Sequence, residues 1–179
     1  MDDSPCFCIL CAPPAEGPAW EERDNRIAKN VTDVGWHVMG VYGSDAPADW
    51  AYSIGLWHTL RNPEVCVFGL PVEVGMPVVN AAGSGIRDGL PLEPDQLRDD
   101  VLNNYDVAVR PVHSSWYSDF FGAGIDFYQA PPLPMTQLFW PDKAGHFPWD
   151  EGAEDYCRTS QPLLYIPKED TEGPWSQLA

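Results

Sequence analysis

Trp50-Ala51-Tyr52-Ser53-Ile54-Gly55-Leu56-Trp57 places Trp50, Tyr52, Ile54 and Leu56 on one side of an extended chain, the mark of a β-strand with one face turned to a core. Just before it, Trp36-His37-Val38-Met39-Gly40-Val41-Tyr42 is equally β-rich and runs into the polar loop Gly43-Ser44-Asp45-Ala46-Pro47, so the pair predicts a hairpin. After the polar connection from His58 to Glu64, Val65-Cys66-Val67-Phe68-Gly69-Leu70 is a continuous apolar run of strand length, as buried central strands are. Upstream, Trp20, Ile27, Val31 and Val34 share one helical face, with acids in the first turn and Gly35 as a stop.

Further along, Met76 to Gly89 reads as a helix, with Pro77 tolerable in its first turn. A short helix is expected at Asp95 to Leu102, and Asp106 to His113 alternates as a strand that Pro111 sends to an edge or ends. Ser114-Ser115 caps a short aromatic helix over Trp116 to Phe121, stopped by Gly122 and Gly124, and Ile125 to Pro134 crosses over. In residues 133 to 150, the runs Gln137-Leu138-Phe139-Trp140 and His146-Phe147-Pro148-Trp149 flank Pro141-Asp142-Lys143-Ala144-Gly145, which predicts an aromatic hairpin. The element order gives an α+β fold: one domain, a mostly antiparallel β-sheet and two or three packed helices. Three segments are expected: residues 1–19, rich in Cys and Pro; a globular domain over 20–152; and an acidic, Pro-containing tail over 153–179, in which Leu163 to Ile166 can add an edge strand.

The chain has 179 residues, 44% of them apolar, with 8 Trp, 7 Tyr and 7 Phe, enough to fill a real core. Its 27 acids against 10 bases leave a net charge of −17, which repels phosphate backbones and anionic lipid; no nucleic acid and no membrane are expected as partners, whereas a small molecule or a protein partner is compatible. No stretch nears the roughly 20 apolar residues of a membrane helix, and Met1-Asp2-Asp3-Ser4-Pro5 lacks the basic start of a signal peptide, so a cytoplasmic protein is expected. Five Cys, an odd number, do not suit a secreted disulfide framework.

Trp50-Ala51-Tyr52-Ser53-Ile54-Gly55-Leu56, then Asn62-Pro63-Glu64 and Gly69-Leu70-Pro71, then Trp140-Pro141-Asp142, Gly145 and Phe147-Pro148-Trp149 carry a family pattern. Over about residues 22 to 152 the chain resembles the bacterial domain-of-unknown-function family numbered 4262, and Cys8-Ile9-Leu10-Cys11 looks like the N-terminal Cys pair of some relatives. Ser53 stands where the family usually has Thr, and Asn62 where His or Gly is more familiar. The resemblance implies a single-domain intracellular bacterial protein and brings no catalytic residue with it.

Chemistry must then come from the residues. Cys6, Cys8 and Cys11 put three thiols within reach of one ion, and Zn²⁺ prefers such ligands in a tetrahedron; Cys157, Cys66 or a His can supply the fourth, and Cys157 is the expected one. His58, Glu64, Asp142 and His146 are the candidate catalytic groups, because a His with a carboxylate partner can serve as a general base. Tyr52, Trp57, Trp140 and Trp149 are the candidate ligand-binding groups, rings that can stack on a planar or cationic molecule. Three functions are therefore expected as alternatives: a small-molecule or partner-binding module with an aromatic-acidic face, a hydrolase-like enzyme, and a zinc-stabilised accessory protein. The sequence lacks a phosphate-binding loop, a dinucleotide-binding Gly motif and a His-Glu-x-x-His, and Gly83-Ser84-Gly85 is too short for a nucleophile elbow.

Overall fold

The computed structural model describes residues 5–12, 22–44 and 46–177. Trp20 of the expected first helix, Pro13, Pro14, Pro18 and Asp45 lie outside the described residues.

Among the described residues six strands form one sheet: β1 (His37–Val41), β2 (Trp50–Ile54), β3 (Glu64–Phe68), β4 (Leu97–Leu102), β5 (Tyr105–Pro111) and β6 (Met135–Phe139). Their order across the sheet is β1-β2-β3-β6-β5-β4. Neighbours are antiparallel except at the centre, where β3 and β6 run parallel. The predicted hairpin is β1 and β2, with Met39 opposite Tyr52. The sheet is thus mixed, and the helices exceed the expected two or three. Among the described residues they are α1 (Glu22–Val34), α2 (Leu56–Leu60), α3 (Val72–Arg87), α4 (Tyr117–Phe120), α5 (Gly122–Tyr128) and α6 (Asp155–Ser160).

Alternation along the strands sorts side chains between two layers. Ala51, Val65, Val67 and Leu138 meet Val78, Val79, Ala82 and Ile86 of α3 on one face. On the other, Tyr52, Ile54, Cys66 and Phe68 meet Ile27 and Val31 of α1, Phe120 of α4, Phe121 between α4 and α5, and Phe127 and Tyr128 of α5. Buried Cys6, Cys8 and Ile9 of the N-terminal segment join this second layer. Val34, expected inward, is 55% exposed and Ala28 takes its place.

Further expectations need correction. Residues 97–102 form strand β4 rather than a helix, because Leu97-Arg98 pairs with Val107-Ala108 of the next strand and tertiary pairing overrides local propensity. Gly122 begins α5 instead of ending the helical region; a Cβ there would meet nothing within 4 Å. Leu163 to Ile166 adds no strand but turns, with the Ile166 N–H donating to the Leu163 carbonyl. The supposed tail also packs: Leu164 is fully buried, Trp175 is 6% exposed against Phe68 and Phe120, and the Trp116 indole donates to the Ile166 carbonyl at 2.7 Å. Aromatic and aliphatic surface outweighs the acidic and Pro residues around it.

The aromatic hairpin at 133 to 150 is half present. Gln137 to Phe139 belong to β6, which pairs with β3 and β5, and residues 146–149 form no strand. What holds the turn is Asp142, whose carboxylate accepts from the backbone N–H of Ala144, His146 and Glu154 at 2.9 Å each. Gly145 sits at φ +91°, a left-handed conformation open to glycine.

Candidate metal centre

Glu64 opens β3 fully buried, and four donors surround its carboxylate. One oxygen accepts from the Gly55 N–H at 2.8 Å, the Trp57 N–H at 3.1 Å and the Tyr128 hydroxyl; the other accepts from the Ser53 hydroxyl at 2.5 Å. Ser53 in turn accepts from the Val65 N–H. Burial raises the Glu64 pKa above its ordinary value, and the four donors oppose that rise. Burial first, and then Glu64, push the Tyr128 phenol up as well.

This arrangement fixes the turn between β2 and α2. Gly55 lies at φ +115°, and a Cβ there would stand 2.7 Å from Val31, so the tight turn needs glycine on both counts. With Gly55 and Trp57 held by Glu64, α2 presents His58, whose own N–H is 3.3 Å from the Tyr128 oxygen.

The imidazole meets the N-terminal segment. His58 Nδ1 lies 3.8, 3.2 and 3.3 Å from the sulfurs of Cys6, Cys8 and Cys11. The four ligand atoms all fall within 4.8 Å of one another. A neutral imidazole nitrogen has one lone pair and can accept from one thiol only. Three sulfurs around one such nitrogen are arranged as ligands around a common centre, and this cluster can hold a metal ion.

The segment is shaped for the task. The Cys11 and Ala12 N–H groups both donate to the Cys8 carbonyl, at 3.0 and 2.9 Å, closing a turn that brings Cys8 and Cys11 side by side. The Ile9 N–H donates to the Phe127 carbonyl and the Gln129 side chain to the Ala12 carbonyl, tying the turn to α5. Cys6 and Cys8 are buried while Cys11 is exposed. Burial pushes the Cys8 thiol up to about 12, and it lowers the His58 pKa with help from Arg61. A cation held by these four residues would oppose this field and favour the deprotonated ligands.

Cys157 is not the fourth member. Its sulfur lies 3.6 Å from the Trp140 carbonyl and 3.7 Å from that of His146, with the Gln161 amide donating to it at 3.3 Å. Cys66 is fully buried on β3, its thiol pushed well above the ordinary value by desolvation. His58, grouped in sequence with the carboxylates, takes the position instead.

The four candidate catalytic groups do not share one cleft. His58 and Glu64 are linked through Tyr128 at the Met135 end of β6, since Glu64 pairs with Met135. Asp142 and His146 follow its other end, Phe139, and a five-residue strand spans about 13 Å. There His146 Nδ1 stands 3.4 Å from Asp142, whose pKa is depressed to about 2, mainly by the His146 N–H.

The candidate aromatic groups are also dispersed. Tyr52 and Trp57 are each 2% exposed in the core. The Trp140 indole donates to the Phe68 carbonyl at 2.8 Å, and Trp149 stacks on Phe147 with Arg110 over its ring. A mostly apolar cavity of about 410 Å³ does lie beside the centre, lined by Tyr117, Ile125, Tyr128 and Pro131 to Pro134, and none of the four contributes to it. Tyr128, which joins that cavity to Glu64 and His58, carried no signal in sequence beyond being one more aromatic residue.

Among the described residues no helix is long and apolar enough to cross a membrane. Comparison with curated proteins and with solved structures gives no match. The sequence profile of one family does match, over residues 30–154, and that span takes in Ser53, Gly55, His58, Glu64, Tyr128 and Asp142 while leaving the three thiols outside it. The chain belongs to the family described as a domain of unknown function, DUF4262.

Proposed function

We propose that this chain is a zinc-binding protein in which Cys6, Cys8, Cys11 and His58 hold one Zn²⁺ in a structural site. The observation that carries the reading is the spacing of the three sulfurs around one nitrogen. Zn–S bonds near 2.3 Å and Zn–N bonds near 2.0 Å at tetrahedral angles require S···N separations of about 3.5 Å. Those found are 3.2 to 3.8 Å. Four protein ligands fill the tetrahedron, and such closed sites are structural, whereas catalytic zinc keeps a position for water. This favours the zinc-stabilised accessory protein over the hydrolase-like enzyme.

The ion's work follows from where its ligands sit. It joins residues 47 to 52 positions apart and pins the N-terminal segment over α5. Closing a loop of about 50 residues in the unfolded chain is worth about 4 kcal/mol. A second reading, a small-molecule or partner module, is supported by the cavity beside Tyr128. A ligand there would touch the residue that buttresses His58.

The test is metal analysis of protein purified without a tag. About one equivalent of Zn²⁺ is expected, and Co²⁺ substitution should give the intense thiolate-to-cobalt absorption of a tetrahedral sulfur-rich site. Less than about half an equivalent after growth in zinc, with no cobalt band, refutes a tight structural site.

A further inference from the structure

The four ligands are not equivalent in their access to solvent. Cys6 and Cys8 are buried, His58 is half-buried and Cys11 alone is exposed. Cys11 is also the end of a turn whose start is Cys8, with the Cys11 N–H on the Cys8 carbonyl at 3.0 Å. Residues at the ends of such a turn have Cα atoms less than about 7 Å apart, and disulfides span about 4.4 to 6.8 Å. Cys6 and Cys8 are separated by one residue only, which closes a small and strained ring if they are bridged.

We propose that Cys11 is an oxidation site through which a hydroperoxide releases the metal. The inference rests on the zinc reading above. In the first step the Cys11 sulfur attacks one peroxide oxygen: an S–O bond forms, the O–O bond breaks and hydroxide, or alkoxide from an organic peroxide, leaves. Cys11 is then a sulfenic acid and a poor ligand. In the second step the Cys8 thiolate attacks the Cys11 sulfur; an S–S bond forms, the S–O bond breaks and hydroxide leaves. Two thiolates lose two electrons, and the peroxide takes both.

The ion is left with Cys6 and His58, half of its ligands, and dissociates. Residues 5–12 then keep their bonds from Ile9 and Gln129 to and from α5 but lose their attachment to His58. A thiol reductant restores Cys8 and Cys11, and with them the site. Cys66 and Cys157 stay out of this chemistry because both are buried away from the cluster, Cys66 within β3 and Cys157 against the Trp140 and His146 carbonyls.

The experiment starts from the full chain loaded with Zn²⁺ and measured for it. Hydrogen peroxide is added with a chromophoric chelator present, and disulfides are mapped by mass spectrometry of unreduced peptides. The expected result is one Zn²⁺ released per Cys8–Cys11 disulfide, with zinc rebinding after reduction. Zinc retained while free thiols in a control peptide are consumed overturns the proposal, as does release with a different disulfide or none. A chain that never loads zinc overturns the zinc reading instead, so the two failures are distinguishable. In Cys11→Ser, the peroxide-driven release rate should fall at least about tenfold. An unchanged rate overturns the assignment of Cys11, and if this variant takes up no zinc the disulfide map of the parent chain decides.

Discussion

Glu64 offers the sharpest test of how the centre is built. Replacing it with Ala strips the acceptor from four buried donors at once. The Ser53 and Tyr128 hydroxyls can rotate toward other partners, but the Gly55 and Trp57 N–H groups are fixed by the turn. Each buried group left unpaired costs about 1 to 3 kcal/mol, so the two fixed ones alone cost about 2 to 6. Removing a desolvated carboxylate returns part of this, while the void left behind adds to it. A loss of about 4 kcal/mol is expected for Glu64→Ala. Glu64→Gln keeps the shape, and its carbonyl can still serve both N–H groups; only the Ser53 side gains a donor facing a donor. About 1 kcal/mol is expected there. Urea unfolding followed by Trp fluorescence, with zinc chelated, measures both. With zinc present, the Ala variant should also gain less than the parent chain, because His58 loses the turn that presents it. If Glu64→Ala lies within about 1 kcal/mol of the parent, or if Ala and Gln variants unfold together, the buttressing role assigned to Glu64 is wrong.

Two further outcomes follow from other regions. Deleting residues 153–179 should abolish cooperative unfolding, since Leu164 and Trp175 cover Trp116, Phe120 and Phe68; a truncated chain that still melts in one sharp transition would show these contacts to be dispensable. At the Asp142 loop the folded-state pKa, about 2, lies below the ordinary carboxylate value. Its stabilising contribution is therefore complete above about pH 4 and fades as the pH falls toward 2. The difference in melting temperature between the parent chain and Asp142→Asn should shrink over that range, with chelator present throughout, and a difference that holds constant from pH 6 to about pH 2 would refute it.

Much of the sheet was legible because alternation and short continuous apolar runs are local signals. Trp50 to Ile54, Val65 to Phe68 and Val107 to Val109 declare their strands by side-chain pattern alone. Leu97-Arg98-Asp99-Asp100 shows no such pattern, and it becomes a strand only because β5 lies beside it. The C-terminal residues were misread for a related reason: the short run around Leu164 and the isolated Trp175 have no periodic pattern of their own, and their value depends on a surface built elsewhere. For the centre, the crowding of Cys6, Cys8 and Cys11 pointed to a metal from composition and spacing. The choice of His58 over Cys157 depended on Gly55, Glu64 and Tyr128, which act through the fold at separations that no local pattern reveals. Glu64 and Asp142 stay apart because β6, which lies between them, is extended rather than folded back.

The parallel pairing of β3 with β6 has a kinetic consequence. These strands are neighbours at the middle of the sheet, yet residues 69 to 134 lie between them in the chain. β1, β2 and β3 can assemble by short-range hairpin closures, and so can β4 with β5, whereas the central seam needs a long loop to close first. The order of events should therefore run from the two flanks inward, with the joining of the halves setting the folding rate. Until that seam closes, the apolar runs Val65 to Phe68 and Leu138 to Phe139 present open backbone edges to other chains, so slow refolding at high concentration is where aggregation should begin.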